Sequence, residues 1–243
     1  MSNTIYVTLA RQNLLGEEMD VIAQNIANAS TTAYKGERRL FKEYIFKAAD
    51  GNTVSYVEDA GTQRDLAQGR IERTGDDLDV AINGDGYFAI NGPNGTAYTR
   101  QGHFQLDGKG TLVSSSGLPV LDANGRPIVI PAQASHITIG RDGTIATATG
   151  TLGRLQLVRF ADEEQLTRQG EGLFSYTGNA LPQNLGPNDV DLQQGALEAS
   201  NISPIIEMTR MIELVRNYQS AQRMMDTDTE LQRKSIQDLT AVK

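Results

Sequence analysis

Beyond Pro204 the chain contains neither glycine nor proline through Lys243. That long uninterrupted run limits what the chain can fold into more than any other stretch. Ser203 supplies a capping hydroxyl, and Pro204 sits at a first helical position, where no amide partner is needed. Apolar residues recur at alternating spacings of three and four: Met208, Met211, Val215, Tyr218, then Met225, Ile236 and Leu239. Gln222, Thr229 and Gln232 occupy the same register. A helix over this run would be about 54 Å long, beyond the ordinary globular helix. The pattern predicts a coiled coil or a helical packing partner. Its polar seam positions argue against a self-sufficient zipper, so the helix is built to pack against other helices.

A second periodic stretch runs from about Thr4 to Ala29, with Ile5, Thr8, Gln12, Leu15, Met19, Ile22, Ile26 and Ala29 on one stripe. Gly16 weakens that helix by about 1 kcal/mol without ending it. Glu17, Glu18 and Asp20 lie off the stripe. Two arrangements remain open on pattern alone. Either the helices form a hairpin capping a globular domain, or the pair completes its packing only with neighbouring subunits.

The chain has no cysteine, which excludes disulfides and thiolate metal sites. Its net charge of −8 lies almost wholly in the middle, since residues 1–49 and 204–243 are each close to neutral. An acidic middle disfavours nucleic acid as a partner. The basic and aromatic mixture around Tyr34, Phe41, Tyr44 and Phe46 is interrupted by Glu37 and Glu43. It reads as an extended segment anchored on a neighbouring surface. No stretch approaches the length of a membrane span, and the N-terminus shows no basic leader or cleavage signature.

Between Leu78 and Ala199 the pattern becomes β. Expected strands include Leu78–Ile82, Tyr87–Ile90, Thr96–Thr99, Phe104–Leu106, Pro127–Ile130, His136–Ile139 and Leu155–Phe160. They alternate with turn pairs such as Asn83-Gly84, Asp85-Gly86, Asn94-Gly95, Asp107-Gly108, Asn124-Gly125 and Asp142-Gly143. Short strands with regular turns point to a sandwich or open barrel. The expected class is therefore α+β: long N- and C-terminal helices packed as a coiled coil, a central all-β domain and an extended linker. The corresponding boundaries are an N-terminal assembly helix over 1–36, a linker over 37–77, the β domain over 78–199 and a C-terminal assembly helix over 200–243.

No constellation of residues carries catalysis. Histidine occurs only at His103 and His136, and nucleophile-elbow, phosphate-loop and metalloprotease motifs are absent. Ser114, Ser115 and Ser116 have no histidine nearby in sequence. Asp85 and Asp107 each sit beside glycine, where aspartate is the ordinary turn residue. Asp76, Asp77 and Asp79 lack the spacing of a calcium loop. The chain reads as a non-enzyme without a cofactor or metal.

Three separated strings do carry an identity. The first is Asn25-Ile26-Ala27-Asn28-Ala29-Ser30-Thr31-Thr32-Ala33-Tyr34-Lys35. It resembles the N-terminal signature of the flagellar rod and axial protein family at Asn25, Ala27, Asn28, Ser30, Thr31, Tyr34 and Lys35. Ala33 stands where that family usually has glycine. The second runs from Gly84-Asp85-Gly86-Tyr87-Phe88 to Thr99-Arg100-Gln101-Gly102-His103-Phe104. It is similar to strings typical of rod and hook subunits. The third, Gly195 to Ile202 with Glu198 and Asn201, resembles the family's entry to its C-terminal helix.

The resemblance implies a structural subunit of the bacterial flagellar basal-body rod, in its proximal form, with the distal form as the alternative. Its terminal helices would polymerise with copies of itself and other rod subunits into a tubular drive shaft that transmits torque. Ile5, Leu15, Met19, Ile22 and Ile26 would face Met208, Met211, Val215, Tyr218 and Met225 in that assembly, and the ends would order fully only there. The resemblance also implies export by the flagellar type III apparatus without a cleaved signal, and no membrane insertion. A ligand-binding β domain on a coiled-coil fibre is the competing class, but it would not need all three strings in this order.

Overall fold

The computed structural model describes residues 2–47, 53–131, 134 and 136–241, with side chains over 7–42, 60–131, 134, 136–234 and 237. The chain forms two compact units. One comprises Met1–Ala29, Gly36–Asp65 and Ile202–Lys243, and the other Ser30–Lys35 and Leu66–Asn201.

The first unit holds helices α1 (Ser2–Ala27) and α2 (Pro204–Ala241). The Ser203 carbonyl accepts the amide of Glu207 at 3.1 Å, so α2 starts where the Ser-Pro pair predicts. At the end of α1 both the backbone amide and the side-chain amide of Asn28 donate to the Gln24 carbonyl, at 3.1 and 2.9 Å. That local competition for a carbonyl closes the last turn. The helices pack on each other in opposite directions, for Asn25 meets Glu207 while Thr8 and Met225 line a common groove.

The expected coiled coil is not what these helices form. Among the described side chains, α1 fully buries Thr8, Ile22 and Asn25, and α2 buries Glu207, Leu214 and Ala221. Half of those are polar, and they do not make the continuous apolar seam that interlocking knobs require. Met208 and Val215, expected in the seam, are 51% and 37% exposed. The physical reason is that α2 carries two neighbouring apolar stripes. The one with the stronger apolar residues faces away from α1. Ile5, Ile236 and Leu239 lie outside the described side chains.

Residues 37–77 are not an extended linker either. Strand β1 (Glu37–Lys47) pairs antiparallel with β2 (Thr53–Arg64) from Glu37↔Arg64 to Lys47↔Thr53, with a bulge between Arg39 and Phe41. Among the described side chains of this two-stranded ribbon Leu40 and Phe41 are exposed, so that part of the ribbon lacks the buried alternation by which strands are read from sequence. An Arg39–Glu17 ion pair ties it to α1.

The second unit is strands and turns with one short 3-10 helix, Glu163–Gln165, and its strands start with β3 (Ile71–Arg73), β4 (Val80–Ile82), β5 (Tyr87–Gly92) and β6 (Gly95–Thr99). Its largest sheet has six antiparallel strands, in the order Leu166–Gly170, Leu173–Tyr176, β6, β5, Leu157–Arg159 and Gln183–Asn184. Successive side chains of a strand point to opposite faces. On β5 this sends Phe88 and Ile90 into a core with Val80, Ile82, Phe104, Leu112 and Leu155, and Tyr87 into another with Val158, Phe160, Leu166 and Phe174. Tyr87 meets Phe160 and Phe174 edge-on at 5.6 and 6.0 Å. β5 is thus buried on both faces.

Around this sheet lie a three-stranded sheet and several two-stranded ladders, so the expected two-sheet sandwich or barrel gives way to small sheets sharing a core. The expected Pro127–Ile130 strand is reduced to isolated bridges, Thr111↔Val129 and Leu121↔Pro127. The turn aspartates hold these ladders. Asp107 accepts the amides of Lys109 and Thr111 at 2.8 and 2.7 Å, Asp122 those of Asn124 and Arg126, and Asp142 that of Thr144.

Candidate assembly surface and a buried motif cluster

Within the strand-rich unit the three strings meet on one carboxylate. Glu198, 1% exposed, ends the strand Ala196–Glu198, which pairs with β3. Its Oε1 accepts the Lys35 ammonium at 2.6 Å and the Gly69 amide at 2.9 Å. Its Oε2 accepts Arg100 Nε at 2.8 Å. Arg100 also donates to backbone, from Nη1 to the Gly86 carbonyl at 3.0 Å and from Nη2 to the Gly84 carbonyl at 2.9 Å. Both glycines have positive φ, 101° at Gly84 and 142° at Gly86, which turns their carbonyls inward at little steric cost. Asp85 between them is exposed.

Lys35 makes a second bond to the Ala67 carbonyl at 2.8 Å. Burial pushes its ammonium below the ordinary lysine range, while the Glu198 carboxylate pulls it back up. Tyr34 is buried under the Arg168 guanidinium, 4.7 Å from its ring centroid, and Arg168 Nη2 donates to the Lys35 carbonyl at 3.2 Å. Asn201 closes the cluster from the far end of the unit, giving its backbone amide to the Tyr34 carbonyl at 3.2 Å and its side-chain amide to Ala67 at 3.0 Å. Thr31 accepts the Tyr34 amide in a turn at 3.2 Å. At Gly102 a Cβ would lie 1.7 Å from the Val80 carbonyl oxygen, so only glycine fits.

In this cluster the structure brings together Thr31, Tyr34, Lys35, Gly84, Gly86, Arg100, Glu198 and Asn201, with Gly102 at its edge. Sequence reasoning missed Ala67, Gly69 and Arg168. A Cβ on Gly69 would fall 1.9 Å from the Ala199 carbonyl oxygen, so that glycine was a legible signal. Arg168 carried none. His103 bonds through Nδ1 to the buried Asp79 at 2.6 Å. Asp76 instead holds the Leu78 amide. Among the described residues no group of three or more histidine, aspartate or glutamate residues is placed to hold a metal.

The remaining sequence-predicted residues belong to the helical unit. Asn25 is buried and clamps the start of β1 from both sides, donating to the Glu37 carbonyl at 2.8 Å and accepting the Glu37 amide at 3.1 Å. Asn28 closes α1. Ile22 is buried, and Leu15, Met19, Ile26, Met211, Tyr218 and Met225 are half-buried. Met208 and Val215 instead share an outward stripe with Ile205 and Ile212, at helical spacings of three and four, each of the four more than a third exposed. Among the described residues no helix is long and apolar enough to cross a membrane.

Comparison with known proteins places the chain among flagellar proteins. Residues 5–35 match the family described as Flagella basal body rod protein, residues 81–147 the Flagellar hook protein FlgE/F/G D1 domain, and residues 193–238 the Flagellar basal body rod FlgEFG protein C-terminal region. The chain is 40% identical to the flagellar basal-body rod protein FlgF of Caulobacter vibrioides, covering 98% of both chains. It is 33% identical to FlgF of Mesorhizobium japonicum over 93% of this chain and 92% of that one. It is 34% identical to FlgG of Bacillus subtilis, covering 100% of both. Each of the three family matches contains part of the cluster that converges on Glu198 or of the helix pair, and the chain belongs to the flagellar basal-body rod protein family, as a structural subunit of the rod in the flagellar basal body.

Proposed function

We propose that this subunit is of the proximal-rod, FlgF-like kind and joins its neighbours through the outward face of α2. The observation that carries this is the stripe Ile205, Met208, Ile212 and Val215, exposed on a helix whose other face is already packed. Burying each such side chain is worth about 1.5–3 kcal/mol. The occupant is the terminal helix pair of a neighbouring rod or axial subunit, either another copy or a relative. The half-buried residues Leu15, Met19, Ile26, Met211, Tyr218 and Met225, with Ile22, hold the pair that presents the stripe. Contacts of this kind that do not close into a ring generate a tube, and such a tube transmits torque.

On this reading the subunit does no catalysis, needs no cofactor, binds no nucleic acid and reaches its place through the flagellar type III export apparatus. The strand-rich unit, held around Glu198, acts as a rigid body. A distal-rod role is the second reading, favoured by the end-to-end match to an FlgG protein.

The test is a Met208→Asp/Val215→Asp chain produced in cells lacking the native protein. The expected result is export without incorporation into rods, with the strand-type circular dichroism unchanged. Normal incorporation of that variant would refute the assembly face.

A further inference from the structure

The more apolar stripe of α2 faces outward, and the less apolar one faces α1. Glu207, Met211, Leu214, Tyr218 and Ala221 turn toward α1, while Ile205, Met208, Ile212 and Val215 lie about a third of a turn away round the helix. Burial alone would favour the opposite rotation in an isolated subunit, since three branched aliphatics and a methionine would then leave water. Something polar must hold the helix as it is.

One layer has that character. Glu207, 5% exposed, faces Asn25, 2% exposed, with Asn25 Nδ2 donating to Glu207 Oε2 at 3.5 Å. The other carboxylate oxygen accepts Arg210 Nη1 at 2.6 Å. Asn25 is not free to follow a rotating helix, because both ends of its amide are bonded to the Glu37 backbone. Glu18 of α1 completes the surroundings. Burial raises its carboxyl above the ordinary range, against the opposing attraction of Arg210. A rotated α2 would carry the Glu207 carboxylate off the packed face and away from Asn25, breaking the hydrogen bond between these two buried side chains.

We infer that Glu207, anchored on Asn25, is the positioning residue that fixes the rotation of α2 and keeps the Ile205–Met208–Ile212–Val215 stripe available to a neighbouring subunit. A single buried polar contact can specify how paired helices meet at some cost in stability. The inference rests on the assembly reading for the purpose of the stripe, but the rotation itself is a property of the single subunit.

Because the chain lacks cysteine, a Met208→Cys substitution gives one thiol on the outward stripe. Its labelling rate in the unassembled full-length protein reports the rotation. With Glu207 present the thiol labels freely. With Glu207→Ala added, which removes the carboxylate without adding apolar bulk to the packed face, labelling slows by about tenfold or more as position 208 turns inward. Glu207→Gln, which still accepts from Asn25, restores the fast rate. An unchanged rate in the Glu207→Ala chain overturns the inference. Should that chain fail to fold, Asn25→Asp serves instead, since it keeps an acceptor for the Glu37 amide and removes the donor to Glu207. Slowed labelling there supports the inference, and an unchanged rate overturns it. Rod incorporation read in parallel separates the two ideas, for slowed labelling with normal incorporation would leave the rotation standing and sink the assembly face.

Discussion

Arg100 donates from Nε to Oε2 of Glu198 at 2.8 Å across 98 positions of sequence, and both side chains are buried. With Lys35 on the other oxygen, Glu198 carries two cations in a site nearly closed to water. Removing one member of such a group strands the others. Glu198→Ala is expected to lower stability by about 3–5 kcal/mol, because Lys35 and Arg100 lose their shared counter-charge. Urea unfolding of the full-length chain followed by circular dichroism measures it. A loss below about 1 kcal/mol would mean that water reaches the cluster.

Ala33 adopts φ of 53°, the left-handed region, at the position where glycine is usual in the family. Its amide donates to the Glu198 carbonyl at 2.7 Å, so the conformation is held by the same strand that carries the buried carboxylate. A left-handed L-residue costs about 1–2 kcal/mol, and glycine returns part of that gain through its unfolded-state entropy. Ala33→Gly should therefore stabilise the chain by about 0.5–1 kcal/mol, visible as a raised melting temperature. A lowered one would show that packing of the buried methyl group outweighs the strain.

How much of this was legible depended on how far apart the partners lie. Tyr34, Lys35, Arg100, Glu198 and Asn201 each stood out in a motif, yet nothing in a linear string shows that Lys35 and Arg100 share one carboxylate. Tyr87 to Ile90 read correctly as strand because burial on both faces leaves a continuous apolar run. The ribbon over residues 37–64 did not, because among its described side chains Leu40 and Phe41 stay exposed and no alternating buried set marks them as strand. On α2 the helix was clear from the missing glycine and proline, but its rotation was not. A stripe drawn through Met208, Met211, Val215 and Tyr218 runs between the packed face and the open one, and Glu207, which sets the difference, reads as an ordinary helix-surface acid.

The turn aspartates give a pH dependence whose sign is fixed. Hydrogen bonds from Thr111 and Lys109 hold the Asp107 carboxyl below its ordinary value, and those from Thr144 do the same for Asp142. At Asp122 burial pushes upward, but the amides of Arg126 and Asn124 prevail. A carboxyl depressed in the folded state binds fewer protons there than when unfolded. Its contribution is complete above the ordinary aspartate value of about 3.9 and is lost as pH falls through the lower folded value. The chain should destabilise progressively below about pH 4. Asp107→Asn and Asp142→Asn keep the acceptor oxygen without titrating, so together they should flatten the acid limb of a stability–pH curve. An unaltered limb would move the acid sensitivity elsewhere.

Two neighbouring residues of α2 should respond oppositely to the same substitution. Leu214 is 8% exposed against α1, and Ile212, two positions earlier, is 53% exposed. Leu214→Asp places an unpaired carboxylate in the packed face of the helix pair and removes a buried leucine, a combination worth about 3–5 kcal/mol. Ile212→Asp leaves the packed face intact and gives the exposed one a charge that water solvates, so its effect should stay within about 0.5 kcal/mol. In rod incorporation the order of the two no longer follows stability, because Ile212→Asp should fail although it folds as well as the parent. Thermal melts of both proteins beside an incorporation assay decide the matter. Equal destabilisation by the two would mean that α2 has no unpartnered face in the single subunit.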